Sequence, residues 1–129
     1  MFPSALNVRV LVVDDQPDTL YVMGGLLKAL GCEVKFCADG ESCLMEVEGF
    51  RPHLLLLDLA LPRTSGFAVA DLLRQMQLDP QPLIVAVSGY GDKQTVENCR
   101  AAGFDSHVLK PASLSQLESL VSEAQKRVK

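Results

Sequence analysis

Apolar residues in this chain collect into five short runs, and between the runs they recur every three or four positions. Arg9-Val10-Leu11-Val12-Val13, Leu54-Leu55-Leu56-Leu57 and Leu83-Ile84-Val85-Ala86-Val87 are continuous apolar runs bounded by turn residues, the signature of strands buried on both faces. Val34-Lys35-Phe36-Cys37 alternates like a partly exposed strand, and Phe104 to Lys110 carries a short last one. Helical spacing fills the gaps. Pro17 suits a first helical turn, Leu20, Met23, Leu26, Leu27 and Leu30 share a face, and Gly31 supplies the stop. Asp39-Gly40 opens a short helix with Cys43, Leu44 and Val47, and Gly66 precedes one with Phe67, Val69, Ala70, Leu73 and Met76 inward, the Pro80/Pro82 pair ending that unit. Lys93 to Ala102 is thinly apolar, with only Val96, Cys99 and Ala102 to bury before Gly103, so it is expected to be held least firmly. Ser113 and Gln116 form a capping box for a final helix whose inner stripe is Leu114, Leu117, Leu120, Val121 and Ala124. Strands alternating with helices predict an α/β fold, a doubly wound five-stranded parallel sheet with helices on both faces.

Composition narrows the class further. The 129 residues suit one domain, 1–129, with a short N-terminal tail at 1–7, no linker and no second domain. At 48% apolar and 22% charged the chain is globular. A net charge of −4, without a Lys/Arg cluster before the last few residues, argues against direct nucleic-acid binding. Cys32, Cys37, Cys43 and Cys99 lack paired metal or redox spacing and read as reduced, mostly buried residues of a cytoplasmic protein. The opening residues are too short and uncharged for a signal peptide, and no apolar stretch approaches the roughly 20 residues that span a bilayer, so membrane insertion is not expected.

The chemistry sits where the strands stop. In a doubly wound sheet all strands end on one side, and that edge is where such folds bind ligands. Asp14-Asp15, Asp58, Ser88 and Lys110 are thereby brought to one edge from four strands. Taken singly, each has a plainer reading: a helix cap, a strand-ending turn, a turn serine, a solvated lysine. Their conjunction is harder to assign to chance. Three clustered carboxylates repel and need positive charge among them, and Mg²⁺ fits best because it takes oxygen ligands, keeps waters and accepts phosphate oxygens. Lys110 adds a fixed cation and Ser88 a hydroxyl, so the site suits a phosphoryl group, with Asp58 the nucleophile that accepts it as an aspartyl-phosphate.

On these residues the chain resembles the receiver domains of two-component response regulators. The shared motifs are Asp14-Asp15 after an apolar strand, Asp58 followed by Pro62 and Gly66, Ser88 after the fourth strand, and Lys110-Pro111 after the fifth. The resemblance runs from Val8 to about Ala124 and is similar in feel to the receivers of hybrid histidine kinases, notably through Ser88-Gly89-Tyr90-Gly91 and Ala101-Ala102-Gly103-Phe104-Asp105. It implies a flavodoxin-like sheet of strand order 2-1-3-4-5 and phosphorelay signal transduction. A histidine kinase or histidine phosphotransfer protein would pass its phosphoryl group to Asp58. Mg²⁺ would be held by Asp15 and Asp58, by Asp14 mainly through water, and by the Ala60 carbonyl. Ser88, Lys110 and the N–H groups of Ala60 and Gly89 would bind the phosphoryl oxygens, and the peptide bond before Pro111 would be cis.

Two positions depart from the family pattern. The switch residue that pairs with Ser88 is His107, a flat ring that also ionises near neutral pH, so a weakened or pH-sensitive switch of the surface around the fifth strand and fourth helix is expected. Ala60 has too short a side chain to guide or block water at the phosphoryl group. Two competing functions remain to be weighed: an aspartyl-nucleophile phosphatase, whose Asp-x-Asp spacing Asp14-Asp15-Gln16 lacks, and a receiver-like interaction module that is never phosphorylated, which would be expected if an acidic residue or Lys110 were missing. The family itself implies a signalling domain with at most slow self-dephosphorylation, not an enzyme.

Overall fold

The structure, a computed structural model, describes residues 8–127, so the tail assigned to 1–7 lies outside the described residues. Its elements run β1 Arg9–Val13, α1 Pro17–Ala29, β2 Glu33–Cys37, α2 Gly40–Phe50, β3 Leu54–Asp58, α3 Gly66–Gln75, β4 Leu83–Ser88, α4 Lys93–Ala102, β5 Ser106–Leu109 and α5 Leu114–Gln125. The strands form one sheet of order β2-β1-β3-β4-β5, and every neighbouring pair is parallel. The expected flavodoxin-like topology is the observed one.

The two-residue period of a strand divides the core in two. Val10, Val12, Leu54, Leu56, Val85 and Val87 face α1 and α5, where Leu27, Leu117 and Val121 cover them. Leu11, Val13, Leu55, Leu57, Ile84 and Ala86 face α2, α3 and α4, against Val47, Val69, Leu73 and Cys99. Strand β3 is buried along its whole length, which explains its four consecutive leucines. Burying each of them fully is worth about 1.5–3 kcal/mol.

Helix starts follow local chemistry. Asp39, Ser65, Asp92 and Ser113 each accept a hydrogen bond from a backbone N–H of the first turn, and Ser113 with Gln116 completes the expected capping box. Helix α4 buries only Cys99, as its thin apolar pattern predicts. One expectation fails: Leu114 belongs to the helical stripe of α5 yet is exposed. The first turn of α5 begins just past the end of β5, and the stripe meets the core only from Leu117 onward. All four cysteines are free and buried, and burial pushes the Cys32 and Cys37 thiols up to about 11.

At the opposite end of the sheet His53 acts as a fastener. Its Nδ1 accepts from the Arg9 N–H at 2.9 Å, while its own backbone bonds Arg9 on one side and Leu83 on the other. Burial, and secondarily the Arg9 charge, holds this imidazole below the ordinary histidine range.

Gly66 is the fold's tightest contact with the carboxyl edge. A Cβ there would lie 2.3 Å from the Asp58 carbonyl oxygen and 2.9 Å from the Leu59 Cα, both backbone atoms that cannot swing aside. Gly66→Ala is therefore expected to lower unfolding stability by about 2 kcal/mol in urea titration. A loss below about 0.5 kcal/mol, the ordinary scatter of surface changes, would show that the β3–α3 turn yields freely.

Candidate functional site

Strand register explains why residues remote in sequence meet. Val13 pairs with Leu57, Asp58 with Val87, and Ser88 with Leu109. Asp14, Asp58 and Lys110 are thus at or one step past the ends of β1, β3 and β5, with β4 lying between the last two. All three occupy even-numbered positions, the parity of the Val12, Leu56 and Val108 side chains that face α1 and α5. Their side chains converge on that side. In β4 the register is offset, so that its even positions, Ile84, Ala86 and with them Ser88, lie on the opposite face, and Ser88 faces α4 with His107.

Asp14 and Asp58 are 2% and 5% exposed, and each has one carboxylate oxygen tied to its own loop. Asp14 Oδ1 accepts from the Gln16 N–H at 2.8 Å, and Asp58 Oδ1 from the Ala60 N–H at 3.1 Å. The remaining oxygens share one cation: Lys110 Nζ lies 2.8 Å from Asp14 Oδ2 and 3.3 Å from Asp58 Oδ2. Lys110 is aimed by its backbone, whose N–H bonds the Ser88 carbonyl at 2.8 Å, and the Lys110–Pro111 peptide bond is cis as expected. Desolvation alone would lower its pKa, but the hydrogen bond it donates to Asp14 and the charges of Asp58 and Asp14 outweigh it and hold the ammonium above its ordinary range. Lys110 is therefore a permanent cation here.

Asp15 is exposed and completes an oxygen cluster with Asp14 and Asp58, one ligand atom of each lying within 4.8 Å of the others. Oxygens around Mg²⁺ stand roughly 3–4 Å apart, given metal–oxygen distances near 2.1 Å. Small side-chain rotations would close the cluster on such an ion, and an all-oxygen donor set suits a hard cation. Ala60 and Gly89 lie exposed in the loops that follow Asp58 and Ser88. The contacts bring Asp14, Asp15, Asp58 and Lys110 together, while Ser88 and His107 meet each other toward α4. Sequence reading missed Tyr90, whose backbone holds the Ser88 hydroxyl from both sides. No side-chain pattern signals a contact made by backbone atoms.

The comparisons agree with this geometry. The profile of the response regulator receiver domain matches residues 10–122, and the chain belongs to that family. Receiver domains are signalling domains that work in two-component phosphorelays. Over 119 residues the chain is 30% identical to a peroxide stress-activated histidine kinase, mak1 of Schizosaccharomyces pombe, covering 88% of this chain but 7% of that protein's length. Among solved structures, the receiver domain of a sensor histidine kinase from Pseudomonas aeruginosa matches with a TM-score of 0.84 at 25% identity, covering 93% of this chain and 98% of that one. That structure holds a magnesium ion in its active-site cleft. A co-crystal from Saccharomyces cerevisiae, of the histidine phosphotransfer protein Ypd1 with the receiver domain of Ssk1, matches at TM-score 0.86 and 21% identity, covering 98% of this chain and 92% of that one.

Removing the shared cation should expose the repulsion it offsets. Lys110→Ala is expected to destabilise the metal-free protein by on the order of 2 kcal/mol, a low value for one partner of a buried pair because Lys110 keeps some water contact. Millimolar Mg²⁺ should raise the melting temperature of this variant more than that of the parent. Equal increments in thermal melts would mean that Lys110 and the cation do not answer the same charge.

Proposed function

We propose that this chain is a phosphoacceptor in a phosphorelay, receiving a phosphoryl group on Asp58 from the phosphohistidine of a histidine kinase or histidine phosphotransfer protein. The observation that carries it is the pairing of Asp58 Oδ2 with Lys110 while Oδ1 is tied to the Ala60 N–H. A carboxylate held that way presents an oxygen at the sheet edge with positive charge waiting for the incoming oxygens. An Asp58 oxygen attacks phosphorus as the bond to the donor's imidazole nitrogen breaks, and the imidazole leaves with the electron pair. Lys110, the Ser88 hydroxyl and the N–H groups of Ala60 and Gly89 receive the three outer oxygens. Bound Mg²⁺ would neutralise charge on the transferring group, held by Asp14, Asp15, Asp58 and the Ala60 carbonyl. His107 and the weakly anchored α4 form the surface that changes once Asp58 is modified.

A large donor fits the rim of this site. Tyr21 and Val22 of α1 are exposed, and with Phe36 they border an apolar groove of about 410 Å³. Val22 also borders a second groove, of about 220 Å³, that reaches Lys110 and Pro111. Apolar surface next to a phosphoryl site supports a protein donor over a small ester. Among the described residues no helix is long and apolar enough to cross a membrane. An acceptor for a histidine kinase would work in the cytoplasm, by itself or within a larger hybrid kinase. The domain acts as a switch whose only turnover is slow loss of its own phosphoryl group, and Ala60 leaves water's approach to that group open.

Incubation with Mg²⁺ and acetyl phosphate, followed by intact mass measurement, is expected to add one phosphoryl group to the parent and none to Asp58→Asn. Turnover of many phosphoesters would favour a phosphatase instead. Folded parent protein that gains no mass would favour an interaction module that is not phosphorylated.

A further inference from the structure

The Ser88 hydroxyl has more neighbours than its single proton can serve. Its Oγ lies 3.0 Å from the Tyr90 amide nitrogen, 2.9 Å from the Tyr90 carbonyl oxygen and 3.3 Å from Nε2 of His107. A hydroxyl brings one proton and two acceptor lone pairs. The Tyr90 N–H occupies one lone pair. When the O–H donates to the Tyr90 carbonyl, the other lone pair faces His107, and Nε2 must then supply a proton of its own.

The demand sharpens when a phosphoryl group arrives. Phosphoryl oxygens are acceptors, so Ser88 helps bind one only by turning its proton toward it. A bare Nε2 would compete for that proton. A protonated Nε2 removes that competitor: Tyr90 N–H and Nε2–H then fill both lone pairs, and the proton is left to choose between the neutral Tyr90 carbonyl and a charged phosphoryl oxygen, the stronger acceptor. We propose that His107 is a positioning residue: its Nε2–H donates to Ser88 Oγ and commits the Ser88 proton to the phosphoryl group on Asp58. This rests on Asp58 being the acceptor.

The surroundings allow that tautomer. His107 pairs with Ala86 across the β4–β5 ladder, and its ring borders a cavity of about 160 Å³ with Val96, Cys99 and Arg100 of α4 and with Phe104, Asp105 and Ser106 before and within β5. Of the ionisable groups there, the Asp105 carboxylate is taken by Arg74 at 2.7 Å and the Ile84 N–H at 2.8 Å. The Cys99 thiol is pushed up by burial and stays neutral, which leaves Arg100 as the remaining charge. None of these groups offers Nε2 a proton, so the proton shared with Ser88 Oγ at 3.3 Å has to be the ring's own.

The test uses the intact chain with Mg²⁺ and beryllofluoride, a phosphoryl mimic that bonds to carboxylates. Imidazole ¹⁵N spectra report which ring nitrogen is protonated, with the His107 signals assigned by their loss in His107→Phe, and bound ¹⁹F signals report affinity. In the adduct Nε2 is expected to carry a proton in a hydrogen bond that Ser88→Ala abolishes. His107→Phe should weaken beryllofluoride binding roughly three- to tenfold, the worth of one hydrogen bond. His107→Gln, whose amide N–H reaches the same oxygen, should stay within about twofold of the parent. In the Ser88→Ala background, His107→Phe should add no further loss. A bare Nε2 in the adduct, equal losses for Phe and Gln, or an undiminished Phe effect without Ser88 would each overturn the proposal while leaving Asp58 as acceptor. Absence of any bound fluoride signal in the parent would overturn both.

Discussion

One ammonium group holds the working edge of this protein together. Lys110 Nζ stands between two nearly buried carboxylates, 2.8 Å from Asp14 and 3.3 Å from Asp58. Without it the edge would gather like charges in a place that water reaches poorly, and the fold would oppose its own site. The arrangement is also unfinished. One cation answers Asp14 and Asp58 while Asp15 remains exposed, so room is left for a second positive charge and for an anionic group between them. A resting cluster that is tolerable but under-neutralised is what the proposed binding of a metal and a phosphoryl group would require.

The sheet delivers that cluster through arithmetic rather than through loops. Parallel strands end on one side, register aligns their last residues, and parity selects the face. Asp14, Asp58 and Lys110 share one face of the sheet, whereas Ser88 and His107 take the other. The Asp58 carboxylate and its counter-charge therefore lie toward α1 and α5, and the hydroxyl and imidazole lie toward α4. On the reading proposed above, a group added to Asp58 would have to reach across to the Ser88 hydroxyl, which would tie the chemistry on one face to the least anchored helix on the other.

Most of this was legible in the chain. The four leucines before Asp58 announce a strand covered on both faces, and the carboxylates, serine and lysine at strand ends announce the site. Features that depend on where an element sits in space were not legible. Leu114 fits the stripe of α5 but lies ahead of the point where that stripe meets the core, a matter of where the helix begins. Gly66 reads as a helix start, yet its deeper reason is the Asp58 carbonyl that a side chain would strike. The Ser88 network escaped because two of its three neighbours are backbone atoms of Tyr90. The groove beside α1 is foreshadowed only by Gly24-Gly25: Gly24 makes room for the Phe36 ring, while nothing lies within 4 Å of where a Gly25 side chain would begin.

A crystal structure of the chain grown with Mg²⁺ and beryllofluoride examines the acidic edge most directly. Beryllium bonded to an Asp58 oxygen, Mg²⁺ within about 2.1 Å of oxygens from Asp15 and Asp58, and the Lys110 ammonium against a fluorine are the expected result. Well-ordered density for the ion or the adduct away from these residues, or Lys110 still clamped to Asp14 with Asp58 unmodified, would contradict it.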